Sequence, residues 1–262
     1  MAYYHWQDLK TTDFSAIDPD RALALLPVGA TEQHGPHLPL ATDSLLAGHM
    51  AREAARRALK AEVYILPTVT YAKSDEHLSF PGTLTLDGPT LFATLMQIGR
   101  SVARAGFSKL VFLNAHGGNV PVLQMAARAL RVEQNMLVVS AGWMAMGFPD
   151  GLISAREQRD GIHGGLVETA VMLHVRPDLV DMTRAENFVP ASAQMAEENA
   201  VLRMAGPVGM GWVAEDLHPA GVAGDAASAT AATGAAIAEH AAGRYARLLD
   251  ETAACAGPGG RA

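Results

Sequence analysis

The sequence predicts an α/β protein, a three-layer α/β/α sandwich built on a mainly parallel sheet. Three observations predict it. Short apolar runs alternate along the chain with longer stretches whose apolar positions recur at helical spacing. The chain has 262 residues and is 49% hydrophobic, enough to bury a full core near the upper size for one domain. No internal repeat and no linker-like segment breaks the pattern, so residues 1–262 are expected to form a single domain.

The elements follow in order. After a polar lead-in, Ala22 to Val28 reads as a buried strand, and Ser44 to Lys60 as a helix with Leu45, Leu46, His49 and Met50 on one stripe. His49 on such a stripe is expected to pack in the core or at an interface. Val63 to Leu66 is a second strand, ended by Pro67. An irregular segment follows, from Tyr71 to Thr83, and long irregular segments in compact domains usually serve function. Pro89 and Thr90 open a helix that Gly106 stops, and Lys109 to Leu113 is a third strand. Pro121 suits the first turn of a helix running to about Gln134. Leu137 to Ala141 is a fourth strand, residues 146–161 are polar and loop-like with the character of a lid, and a helix runs through His174 until Pro177. Residues 183–215 read as irregular, a cover for a cleft or a subunit contact. Asp225 is the expected N-cap of an Ala-rich helix from about Ala226 to Leu249. Residues 251–262 read as a frayed tail.

One stretch stands apart from these elements. Pro27 to Asp43 places Glu32, His34, His37 and Asp43 in one turn-rich segment after the first strand. Glu32 and His34 are two apart, so in extended backbone they leave on the same face. Gly35, Pro36 and Pro39 let the chain turn back and bring Asp43 toward the same point. Carboxylates with imidazoles suit zinc, manganese or iron. Read alone, the Glu32–His34 pair also fits a solvated loop; the case grows downstream. His116 lies at the carboxyl end of a strand, where doubly wound sheets place ligand sites. Gly117 and Gly118 permit close backbone approach, and amides there suit an anion or a developing oxyanion. His163 precedes a helix that carries Glu168 among Leu166, Val167, Ala170 and Val171. A carboxylate in such a run needs a partner, either a metal or a salt bridge. His77, in the irregular segment, either lines the site or sits in a surface loop.

Charge and composition exclude several classes. Net charge is -7 without a Lys/Arg cluster, which argues against nucleic acid and acidic membrane surfaces and leaves a small molecule as the partner. Cys255 is the only cysteine, so no intrachain disulfide forms and thiol catalysis is excluded. With no signal-like N-terminus and no apolar run of about 18 residues, a soluble cytoplasmic protein is expected.

Together, Glu32-x-His34-Gly-x-His37-Leu-Pro with Asp43, Phe80-Pro-Gly-Thr83, Asn114-x-His116-Gly-Gly-Asn119, His163-x-Gly-x-x-Glu168-Thr169 and Gly221-Val-x-Gly-Asp225 resemble the signature blocks of the creatininase (creatinine amidohydrolase) family. They occur in order from residue 22 to about 235. The resemblance implies an α/β/α fold, usually a homohexamer, and amidohydrolase chemistry at a dinuclear metal centre. Two divalent ions per subunit are implied, zinc first, with manganese or iron as the other fits. Matching positions put one ion on Glu32, Asp43 and His116 and the other on His34, the bridging Asp43 and Glu168. Three carboxylates against two divalent ions leave +1, which a bridging hydroxide, the natural nucleophile, would neutralise. His163 matches the general acid/base. His77, Gly117, Gly118 and Trp143 are candidates for substrate contact.

Two departures separate this chain from creatininase itself. That enzyme carries Tyr-Glu where Gly117-Gly118 stand, so Glu168 is the expected replacement carboxylate, as in the Gly-Gly members of the family. It also closes a tryptophan-bearing loop over its substrate, whereas Gly147 to Ile162 contains none. The glycines are expected to leave space beside the metals. Expected substrates are therefore small cyclic or linear amides other than creatinine. The alternatives are a short peptide or a cyclic keto-polyol, and a metal-binding protein without turnover is the third class.

Overall fold

In the computed structural model, which describes residues 3–206 and 208–256, five parallel strands form one sheet. They are β1 (Tyr3–His5), β2 (Ala22–Val28), β3 (Glu62–Ile65), β4 (Lys109–Asn114) and β5 (Leu137–Gly142), in the spatial order β1-β3-β2-β4-β5. All seven residues of β2 are buried. Alternate side chains of β2 serve opposite faces, as the two-residue period of a strand requires. Leu23 and Leu25 pack with Met50, Val171 and Ile237, while Ala24 and Leu26 pack with Leu95 and Leu123.

Helices cover both faces. On the first lie α1 (Thr42–Arg57), followed in the chain by α2 (Gly88–Arg104) and α3 (Val120–Gln134) on the second. The short α4 (Ala155–Asp160) precedes α5 (Leu166–Val175), which returns to the first face. After α6 (Ala191–Glu198) and α7 (Ala214–Leu217), the long α8 (Ala231–Ala254) joins α1 and α5. Two apolar cores on opposite sides of one parallel sheet make the expected three layers. The Tyr245 hydroxyl of α8 lies 3.2 Å from the Phe112 carbonyl of β4, anchoring that layer to the sheet.

Several elements differ from expectation. β1 was read as polar lead-in; three residues carry no period, and the strand exists because Tyr3, Tyr4 and His5 pair with Val63, Tyr64 and Ile65. Residues 146–161 are not an open loop. Ser154 caps α4, and the buried Glu157 accepts hydrogen bonds from Leu166 N at 2.9 Å and Asp225 N at 3.1 Å, tying the segment to α5. Asp225 does not cap the last helix. Gly224–Asp225 (β7) pairs with Asn187–Phe188 (β6), so Asp225 accepts from Ser228 N instead, and Thr230 caps α8. That helix continues to Ala254, so only the end of the expected tail, residues 257–262, lies outside the described residues. No helix among the described residues is long and apolar enough to cross a membrane.

Candidate metal centre

Strand order explains where the chemistry collects. From β2 the chain crosses by α1 to β3 on one side, whereas β4 lies on the other, so a crevice opens at the carboxyl ends of β2 and β4. The loop after β2 supplies Glu32 and His34; the loop after β4 supplies His116. Gly29 makes the junction possible, since a Cβ there would sit 2.6 Å from Ser44 Cα. Only a glycine lets the end of β2 touch the first turn of α1, and that turn carries Asp43. The loop then closes on itself through Glu32 N donating to Leu40 O at 3.0 Å.

The predicted residues converge. Glu32, His34, Asp43, His116, His163 and Glu168 are all buried. His34 Nε2 lies 3.3 Å from Asp43 Oδ1, and His116 Nδ1 lies 3.1 Å from Glu32 Oε1 and 3.4 Å from Asp43 Oδ2. Potential ligand atoms of Glu32, His34 and Asp43 sit within 4.8 Å of one another, as do those of His34, His163 and Glu168. Four of these buried atoms have no hydrogen-bond partner: Glu32 Oε1 and Oε2, His34 Nε2 and Asp43 Oδ2. Unpaired buried carboxylate and imidazole atoms are costly, and a cation in their midst removes that cost.

Backbone carbonyls select the facing nitrogen on each ring. His34 Nδ1 donates to Glu32 O at 3.1 Å, leaving Nε2 toward the cluster. His116 Nε2 donates to Lys73 O at 2.7 Å, leaving Nδ1. His163 Nε2 donates to Gln33 O at 2.8 Å, leaving Nδ1, which is 3.7 Å from Glu32 Oε1. Such outer contacts fix tautomers in metal sites. The asparagines of the Asn114-x-His116-Gly-Gly-Asn119 block hold the loops together. Asn114 Nδ2 donates to His116 O, and Asn119 Nδ2 donates to Gly29 O while its Oδ1 accepts from Lys73 N. Glu168, in the first turn of α5, accepts from Gly164 N at 2.6 Å.

The protonation pattern is that of a site balancing its own charge. Burial pushes His34 down, but Asp43, Glu168 and Glu32 outweigh it and raise the imidazole to about 10. His116 is likewise pushed down by burial and lifted by Glu32 to about 9. Burial raises Glu32, yet His116 beside it brings the carboxyl well below its usual range. Burial and the neighbouring Glu32 charge raise Asp43, and burial lifts Glu168 to about 7. His163 is driven well below its ordinary value by burial and by His34, so it stays neutral.

Other expectations need correction. His77 is not a surface-loop residue; it lines the site from the buried side, beside Glu32 and His163. It is buried, with Nδ1 against Gln33 Nε2 at 2.8 Å and Nε2 at 3.5 Å from Glu32 Oε1. Trp143 has no face toward solvent; it packs in the core against the α1, α5 and α8 side, because the bend after β5 turns it inward. Gly117 is open, with nothing within 4 Å of a would-be Cβ, but Gly118 leaves no space: a Cβ there would meet Glu76 Oε1 at 2.3 Å and His116 Nε2 at 2.5 Å. Glu76 fills the gap and stands 3.5 Å from His116 Nε2. His49 is half-buried against the His174 ring, a packing role as expected.

Sequence reasoning passed over Glu76, Gln33 and Trp212. Glu76 and Gln33 adjoin recognised histidines, a weak signal; Trp212 had none, lying in the segment read as irregular. Residues 210–213 line a cleft of about 510 Å³ together with Lys73, Glu76, Gly117 and Gly118, beside His116.

An α/β sheet with a buried carboxylate–imidazole cluster at its carboxyl edge has the donor set of a divalent-metal site. The comparisons specify the family. A family model described as creatininase, creatinine amidohydrolase, matches residues 7–249, and the chain belongs to that family. It is 35% identical over 252 residues to the mycofactocin precursor peptide peptidase of Mycobacterium ulcerans (strain Agy99), covering 93% of this chain and 88% of the relative. It is 34% identical over 188 residues to the creatinine amidohydrolase of Pseudomonas putida, covering 64% of this chain and 70% of the relative. Over 225 residues it is 26% identical to the 3-dehydro-scyllo-inosose hydrolase of Thermotoga maritima, covering 80% and 70%. A manganese form of creatininase superposes with TM-score 0.75 at 27% identity, covering 94% of this chain and 97% of the other.

Proposed function

We propose that this protein is a divalent-metal-dependent amidohydrolase that cleaves a C–N bond of a small cyclic or linear amide. Glu32, Asp43 and His116 would hold one ion, and His34, Asp43 and Glu168 the other. The observation that carries the reading is the set of four buried, unpartnered atoms on Glu32, His34 and Asp43, with the His34 tautomer fixed from outside by Glu32 O. Mixed carboxylate and imidazole donors fit zinc, manganese or iron, and solved relatives are described as manganese and Zn-Zn forms. When bound, such ions polarise a substrate carbonyl and lower the pKa of water to about 7 in good cases.

The chain's own residues supply the proton transfer. His163 is neutral, and its Nε2–H is committed to Gln33 O, so Nδ1 is the free base on the cluster side. It would take a proton from the water that adds to the carbonyl carbon and return it to the leaving nitrogen as the C–N bond breaks. Because a ring nitrogen of His163 also lies within 4.8 Å of ligand atoms of His34 and Glu168, metal analysis separates catalyst from ligand. Asp43→Ala should lose both ions, and His163→Ala should keep both while kcat falls by a factor on the order of 10² to 10⁴. Normal metal content in folded Asp43→Ala would sink the dinuclear assignment.

Peptide hydrolysis is the second reading. Relatives at 35% identity are named as a peptide peptidase, and the cleft beside His116 has an apolar wall of Met210, Trp212 and Val213. A keto-polyol ring, as in the name of the Thermotoga relative, is the third substrate class. A panel of lactams, formamides, short peptides and cyclic ketoses, assayed with metal-replete protein, ranks the three; no turnover anywhere would point to metal binding alone.

A further inference from the structure

Potential ligand atoms of Glu32, His77 and His163 also lie within 4.8 Å of one another, which would make His77 a further metal ligand. The orientation of one amide argues otherwise. Gln33 Oε1 accepts from Gly35 N at 2.8 Å, and Gln33 Nε2 donates to Gly221 O at 2.6 Å. Turning the amide over would place its NH₂ against an N–H donor and its oxygen against a carbonyl, so both backbone groups hold it one way round. The second hydrogen of Gln33 Nε2 then points at His77 Nδ1, 2.8 Å away. That nitrogen must accept. In the neutral ring the proton therefore sits on Nε2, which faces Glu32 Oε1 at 3.5 Å. The ring is clamped further against His163, with centroids 4.4 Å apart. Glu32, Gln33, His77 and His163 are all buried, which shields the side-chain contacts among them from water.

We infer that Gln33 and His77 form a tautomer-locked pair that turns the His77 Nε2–H toward Glu32 Oε1, an electrostatic contact at 3.5 Å longer than a hydrogen bond, making His77 a positioning residue and not a metal ligand. The inference rests on the reading of Glu32 as a ligand. An N–H held beside a ligating carboxylate restrains its rotation, and loss of such outer contacts typically costs about 10- to 100-fold in metal affinity or activity. The Gly35 and Gly221 backbones thus hold Glu32 at a distance, through an amide and an imidazole.

Nitrogen-15 NMR of imidazole-labelled wild-type protein reads the tautomer directly and needs no variant. Protonated Nε2 with unprotonated Nδ1 is expected for His77, both metal-free and zinc-loaded; a protonated Nδ1, or an Nε2 shifted by zinc ligation, overturns the inference. Wild-type zinc content is measured in the same samples, so failure of the metal assignment shows separately from failure of the tautomer. His77→Ala should bind as much zinc at saturation as wild type, but surrender it to a chelator at about 10-fold lower concentration, with a fall in kcat and little change in KM. His77→Gln, which keeps an N–H at comparable reach, should recover most of the loss. Loss of a whole zinc equivalent in His77→Ala would make it a ligand, and equal defects in His77→Ala and His77→Gln would remove the donor role.

Discussion

Loading the centre with zinc should release about two protons per subunit at pH 7. Without metal, two imidazoles face three carboxylates, and their attraction lifts His34 to about 10 and His116 to about 9 against the opposing effect of burial. At pH 7 both rings are therefore cationic. One proton on each ring belongs to a carbonyl, Glu32 O or Lys73 O, so the second occupies the nitrogen a metal requires. Each must depart before a metal–nitrogen bond forms. Glu168, lifted to about 7, adds a fraction of a third. The sign follows from the direction of the shifts: with metal-free values above neutrality, protons compete most strongly at low pH. The logarithm of the overall affinity for two ions should climb from pH 6 to 9 with a slope of about two and flatten above about 10. Calorimetric titration with zinc at pH 7, in two buffers of different ionisation enthalpy, counts the protons. Ionisation of a coordinated water adds to the count, so only a shortfall is decisive. Release of fewer than one proton, or an affinity flat between pH 6 and 9, would refute the assignment of these two imidazoles as ligands.

Three more outcomes are expected. Gly234 lets α8 meet α5 so closely that a Cβ would lie 1.8 Å from Ala170 O; Gly234→Ala should destabilise the fold by about 2 to 3 kcal/mol, read as a lower denaturant midpoint, and an unchanged midpoint would contradict the packing. Burial holds His37 at about 4, below its ordinary 6.5. Its neutral form is favoured by folding, so stability is fully present above pH 6.5 and declines as pH falls toward 4, by about 2 kcal/mol at pH 5. Denaturant melts of chelated protein and of its His37→Gln variant at pH 7 and 5 measure the difference, which should shrink in the variant. Creatinine should be a poor substrate, because Gly117 offers no ring to stack on it and Phe148, the one aromatic of residues 147–162, packs against the core. Each missing stacking partner should cost about 0.5 to 1.5 kcal/mol, and a kcat/KM for creatinine above about 10⁴ M⁻¹s⁻¹ would overturn that expectation.

By itself the sequence determined the layers and the position of the cluster, because both are local. Alternation and helical spacing are written in consecutive residues, and β2, α1, β4 and α5 appear close to where period and punctuation place them. Glu32, His34 and Asp43 were legible from their spacing around Gly35, Pro36 and Pro39, and His116 from its place at a strand end. Tertiary structure decided whatever depends on a partner distant in the chain. β1 exists only through its pairing with β3. Trp143 is a core residue because of the helices packed over it. Glu76 occupies the space that Gly118 leaves only once the 71–83 segment folds over residue 116. The facing nitrogen of each histidine is chosen by carbonyls and an amide that share no motif with it: Lys73 O for His116, Gln33 O for His163, and the Gln33 amide, itself held by Gly221 O, for His77. A side chain's identity lies in the sequence, but its proton is placed by buried polar groups that must find partners, and those partners come together only when the chain is folded.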